Sequence, residues 1–361
     1  VHPITRNIWH FVGNTSPHVI EGPDGRNGFD AAFDAALPLS SGTERGYTVT
    51  AVSHAALEQI CVHTIGFSND RLFIGAADEG GFVDLPLDGS AWPRKDQVVK
   101  TTRGPFSNAL GAGFDVVGDR VYYVPSWRGS DFSLAGFSDD RGYTWTDWQP
   151  NFLLKPDHYA PFTRVNACPW DPEWVIVSPG NSSGNQRWHR PFQSRNAGDG
   201  QNATWDYIDP HGDPDWDVDY YNGRPWTDRR TVAFTGPDTG YLLVDMIDQE
   251  LAGIFMTPDK GSSWERISPL PIQQHPALWF WNASLKASSD GTVWANAGSQ
   301  GDAVVEGGPS TAYLRDPETD WVTVSELTEA SGIALTDPLA GYTDPFFAAR
   351  GYLRGDYGMW A

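Results

Sequence analysis

Helical periodicity is almost absent from these 361 residues, so the chain is not built from helices. No run approaches 18 consecutive apolar residues, which excludes a membrane-spanning helix and membrane insertion by that route. Basic residues are scarce: 25 Lys plus Arg stand against 46 Asp plus Glu, a formal net charge of -21. Such a surface repels phosphate backbones and anionic lipid, so nucleic acid is excluded as a partner. Cysteine is nearly missing, and Cys61 and Cys168 allow at most one disulfide. No His/Cys spacing suits zinc, and no Gly-x-Gly-x-x-Gly or Walker pattern suits a nucleotide, so no cofactor is required.

What is present is apolar and aromatic. Hydrophobic residues make up 40% of the chain and aromatic residues 13%, enough for a large core. The 38 glycines and 27 prolines punctuate short runs rich in Val, Ile, Tyr, Phe and Trp, which predicts an all-β fold. Five runs recur: Arg71-Leu-Phe-Ile-Gly, Val121-Tyr-Tyr-Val, Trp174-Val-Ile-Val, Gly240-Tyr-Leu-Leu-Val and Thr292-Val-Trp-Ala. Their spacing near 50 residues is that of a repeat architecture, a β-propeller of four-stranded blades. At about 55 residues per blade, the flanking segments add one or two more. Seven blades are expected, with six the alternative, in a single domain over 1–361 whose termini close the ring.

A turn motif repeats within this frame. Ser138-Asp-Asp-Arg-Gly-Tyr-Thr-Trp145 and Thr257-Pro-Asp-Lys-Gly-Ser-Ser-Trp264 both fit Ser/Thr-x-Asp-x-Gly-x-Thr/Ser-Trp. Ser194-Arg-Asn-Ala-Gly, followed by Ala203-Thr-Trp205, is a degenerate and interrupted third copy. The Asp is expected to accept hydrogen bonds from its own hairpin, the Gly to take a positive φ, and the Trp to pack between blades. Asp140 and Asp259 are therefore expected to be structural. Trp92, Trp145, Trp205, Trp264, Trp294 and Trp321 fall on repeat positions and read as packing residues. With these motifs the chain resembles the Asp-box (BNR-type) propellers, which include sialidases, tandem-propeller xyloglucanases and sortilin-type receptors. The resemblance spans roughly residues 55 to 325. It implies the fold, and a family that hosts hydrolases, lyases, receptors and adhesins alike.

If blade strands are lettered A to D, the boxes occupy C–D turns, and the B–C and D–A loops gather at the other end. Function is expected there. Gly75-Ala-Ala-Asp-Glu-Gly-Gly-Phe82 resembles the Asp-x-Gly-Gly-aromatic turn that carries a catalytic aspartate in the xyloglucanases, which implies such a role for Asp78. A partner carboxylate about 5–10 Å away is then required, with Asp131, Asp248 and Asp302 available. Trp127, Trp188, Trp226, Trp279 and Trp281 lie in expected loops, where their faces suit sugar stacking. Arg164, Arg224, His158 and Tyr159 could read or bind acidic and hydroxyl groups.

These residues describe a carbohydrate site with an oligo- or polysaccharide partner. A glycoside hydrolase is the leading reading. A non-catalytic glycan-binding propeller is the second, and a uronate lyase the third. The sialidase Phe/Tyr-Arg-Ile-Pro motif is missing, which disfavours a true sialidase. Asp213, Asp215 and Asp217 alternate in an acidic loop that could gather oxygen ligands for structural calcium. Sequons at Asn14, Asn181, Asn202 and Asn282, with Val1 in place of Met, are read as a secreted, extracellular glycoprotein with a removed leader.

Overall fold

The computed structural model describes residues 8–10, 18–21, 42–44, 47–51, 62–68, 71–76, 80–86, 109–127, 135–148, 162–179, 191–208, 232–244, 253–269, 284–296, 311–336, 346–354 and 356–360. These form seven antiparallel sheets, five of four strands and two of three. The first holds β1 (Ile8–His10), β2 (His18–Glu21), β3 (Gly42–Glu44) and β4 (Tyr47–Ala51) in the order β1-β2-β4-β3. The second is β5 (Val62–Ser68), β6 (Arg71–Ala76) and β7 (Gly80–Pro86).

Four meanders follow. The third sheet is β8 (Ala109–Val117), β9 (Arg120–Trp127), β10 (Gly136–Ser138) and β11 (Thr146–Asp147). The fourth is β12 (Phe162–Cys168), β13 (Asp171–Pro179), β14 (Phe192–Ser194) and β15 (Asp206–Tyr207). The fifth is β16 (Val232–Phe234), β17 (Gly240–Val244), β18 (Gly253–Thr257) and β19 (Glu265–Ser268). The sixth is β20 (Ser284–Ala287), β21 (Val293–Asn296), β22 (Thr311–Leu314) and β23 (Val322–Thr323). The seventh is β24 (Leu327–Thr336), β25 (Phe346–Leu353) and β26 (Asp356–Trp360).

From the second sheet onward, the leading strand of each sheet touches the leading strand of the next: β5, β8, β12, β16, β20 and β24. Four-stranded sheets set side by side around their first strands are the architecture of a β-propeller. Four of the five apolar runs fall within second strands, on β6, β9, β13 and β17, and the fifth supplies β21. A second strand is covered on both faces by neighbouring sheets, so it reads as continuous apolar sequence rather than alternation.

The core lies in the seams. Tyr122, Phe137 and Trp148 of the third sheet pack with Val165, Val175 and Trp205 of the fourth. Cys168, Trp174 and Ile176 of the fourth meet Val232, Leu242 and Phe255 of the fifth. Tyr241 and Ile254 of the fifth meet Leu285 and Val293 of the sixth. Trp145, Trp205, Trp264, Trp294 and Trp321 all join these seam clusters, as packing residues should, while Trp92 lies outside the described residues. Cys168 is a free, buried thiol that donates to the Gly236 carbonyl at 3.5 Å, and burial pushes its pKa up. Among the described residues no helix is long and apolar enough to cross a membrane.

Candidate functional site

The meanders give each sheet two ends. One carries the A–B and C–D turns, and its carboxylates are already engaged. Asp140 Oδ1 accepts from Ser138 Oγ at 2.7 Å and from the Thr144 amide at 2.8 Å, and Oδ2 accepts from Thr144 Oγ1 at 2.7 Å. Asp259 repeats this with Thr257 Oγ1 at 2.8 Å, the Ser263 amide at 2.8 Å and Ser263 Oγ at 2.7 Å. Burial alone would raise the Asp140 pKa, but the bonds from Thr144 and Ser138 outweigh it and hold the carboxyl below its ordinary range. The Ser263 and Thr257 bonds do the same for Asp259. Held as anions at the turn end, both are poor proton donors and serve as turn formers.

The interrupted third copy closes in the same way. Asn196 Oδ1 accepts from the Thr204 amide and from Thr204 Oγ1, each at 2.9 Å, and from Ser194 Oγ at 3.2 Å. A short 3-10 helix, Ala197–Asn202, is inserted between the two halves, and Asn202 is exposed at its end.

Charged contacts at this end tie successive sheets together. Arg120 bridges Asp139 at 2.5 Å and Glu173 of the fourth sheet at 2.9 Å. Burial opposes the Arg120 charge, but these partners outweigh it and raise its pKa. Tyr143 donates to Asp84 Oδ2 of the second sheet at 2.7 Å, and Lys260 pairs with Asp171 of the fourth. Every partner named here is part of the scaffold.

The other end carries the B–C and D–A connections. β6 ends at Ala76, which pairs with Gly80 at the start of β7. Trp127, expected in a loop, instead closes β9 opposite Ala109, because the long β8 strand carries the ladder past the apolar run. Arg164 sits near the start of β12, opposite Ser178. Both residues thus stand at the end where connections leave B strands and enter A strands. Asp78, Asp131, Asp248, Asp302, His158, Tyr159, Trp188, Arg224, Trp226, Trp279 and Trp281 lie outside the described residues. So do Asp213, Asp215 and Asp217, the candidate calcium ligands.

Sequence reasoning missed three polar side chains. Asp115 on β8 accepts from the Ala167 amide of β12 at 2.7 Å, beside the register shift between Ala167 and Cys168. Asp84 takes φ 54° where the β6–β7 register shifts. Asn296 is fully buried and donates to the Ala330 carbonyl at 3.1 Å, inside the register shift of β24. The sequence signal for all three is a polar residue within a strand-like run; the partner strand is not legible from it.

No protein-family model matches the sequence, and no curated protein matches it. A GH74 enzyme from Niastella koreensis is similar in structure over 88% of this chain, at 14% identity and a TM-score of 0.52. The chain spans 38% of that enzyme's length. An ancestral GH74 enzyme matches over 80% of this chain and 35% of its own, at 13% identity and a TM-score of 0.48. YCF48 bound to D1 peptide matches over 82% and 80%, at 13% identity and a TM-score of 0.44. At such identities the first likeness shows the fold alone, a β-propeller.

Proposed function

We propose that this chain is a single-domain Asp-box propeller of seven blades that acts on a carbohydrate at the B–C/D–A end, as a glycoside hydrolase using paired carboxylates. What supports the reading is the place of the Asp78 motif in the sequence relative to β6 and β7. Asp78 falls in sequence between β6 and β7, and the Gly-Gly-aromatic part of its segment opens β7 in a propeller whose fold is similar to that of a GH74 enzyme. Gly80 and Gly81 pair with Ala76 and Gly75 at the start of the ladder, and having no side chains they leave the space beside the carboxylate open. Asp131 and Asp248 follow the second strands of the third and fifth sheets in the corresponding connections, and either would complete the pair. One carboxyl protonates the leaving oxygen while the other activates water or attacks the sugar carbon. Trp127, Trp188, Trp226, Trp279 and Trp281 would stack on sugar rings, with Arg164, His158, Tyr159 and Arg224 binding polar groups. Calcium at Asp213, Asp215 and Asp217 and an extracellular location belong to the same reading.

The test is incubation with a panel of neutral and acidic polysaccharides, reading new reducing ends and absorbance near 235 nm, with Asp78→Asn alongside. Hydrolysis is expected to give reducing ends without absorbance and to be lost in the variant. Absorbance would identify a uronate lyase instead. Glycan binding without any product would identify a non-catalytic recognition propeller.

A further inference from the structure

Several buried ring donors in the seams are satisfied by protein. At the third sheet, Trp145 Nε1 donates to the Gly142 carbonyl at 3.0 Å. Between the third and fourth, Trp148 Nε1 donates to the Ala197 carbonyl at 2.8 Å and Tyr122 OH to the Pro172 carbonyl at 2.7 Å. Between the fifth and sixth, Trp321 Nε1 donates to Ser268 Oγ at 2.9 Å.

In the seam between the fourth and fifth sheets, four buried polar atoms without a hydrogen-bond partner among the described residues converge. Trp264 occupies the place in its turn that Trp145 occupies in the other copy, so its expected acceptor is the Gly261 carbonyl. That oxygen accepts instead from Gln193 Nε2 and Arg195 Nη2 of the fourth sheet, each at 2.7 Å. Trp264 Nε1 is left without a partner among the described residues, as are Gln193 Oε1, Trp174 Nε1 and Asn166 Nδ2.

These atoms share a surface. Asn166 is the register partner of Ile176, and Ile176 of Gln193, so the three side chains stand in one row on one face of the fourth sheet. Trp174, two residues before Ile176, lies on the same face. The fifth sheet covers it with Val232, Phe234, Leu242 and Phe255, which offer no hydrogen-bonding side-chain atom. Asn166 and Gln193 keep only 7% and 3% of their surface exposed. A buried amide with no partner forfeits its hydration, and proteins meet that need with internal water where several polar groups converge. We propose that the seam between the fourth and fifth sheets is hydrated, holding buried water that bridges Asn166 and Gln193 and takes up the Trp174 and Trp264 ring donors.

A crystal structure that shows ordered solvent tests this directly. Water within about 2.7–3.2 Å of Asn166 Nδ2 and Gln193 Oε1 is the expected result. A dry seam, or protein acceptors at both atoms, would overturn it. Asn166→Leu gives a second readout by thermal unfolding. In a hydrated seam it removes an anchor of the water and lowers the melting temperature. In a dry seam it relieves a stranded donor and raises it. A melting temperature equal to or above that of the parent counts against hydration.

Discussion

Asp140 and Asp259 each engage both carboxylate oxygens in their own turns, so what they contribute is pH-dependent stability. Each folded carboxyl titrates below its ordinary value of 3.8. Their stabilisation is therefore complete above that value and is lost as pH falls through the lower folded one. Asp140→Ala is expected to cost about 1–2 kcal/mol at neutral pH and to flatten the loss of stability as pH falls below 3.8, read by denaturant titration. Asn196 already does the same task without a charge in the third copy. Asp140→Asn should accordingly keep most of the stability while removing the acid dependence.

At the scale of elements, tight turns and register shifts decide which substitutions hurt. Gly142 takes φ 97°, and a Cβ there would lie 2.7 Å from Val83 of the second sheet. Gly142→Ala should lower the melting temperature, through both the strained backbone and the clash. The shift in β24 turns the Ala330 carbonyl out of its ladder, and Asn296 receives it. Asn296→Leu removes this buried hydrogen bond and is expected to cost about 1–3 kcal/mol, measured by chemical unfolding. Strands and turns of this kind differ in how visible they are in sequence. The runs at Val121, Trp174 and Gly240 were readable because a strand buried on both faces needs unbroken apolar residues. The turns were readable because a local hydrogen-bond pattern fixes residue types at fixed offsets. Asp84, Asp115 and Asn296 were not, because each serves a group brought near only by packing against a distant segment.

Across the whole molecule, sheets are held together by apolar seams and, at the turn end, by charge. Arg120 joins Asp139 to Glu173 of the next sheet and lies 4.6 Å from the Phe137 ring centroid. Arg120→Ala should cost about 1–2 kcal/mol and should reduce the salt sensitivity of unfolding. The repeat and the propeller were legible from spacing, whereas the candidate site was legible only as residue types near strand ends. Trp127 and Arg164 show the difference: strand pairing puts both at the B–C/D–A end, one of them within a ladder where a loop was expected. The proposed function divides labour between the two ends, with chemistry proposed at Asp78 and scaffolding at Asp140. It is tested most directly by comparing Asp78→Asn with Asp140→Ala on a polysaccharide that the parent cleaves, reading turnover per folded molecule and melting temperature together. Asp78→Asn is expected to lose about 100-fold or more in turnover at an unchanged melting temperature, and Asp140→Ala to melt earlier with turnover intact. Full turnover in Asp78→Asn, or its loss in folded Asp140→Ala, would contradict it.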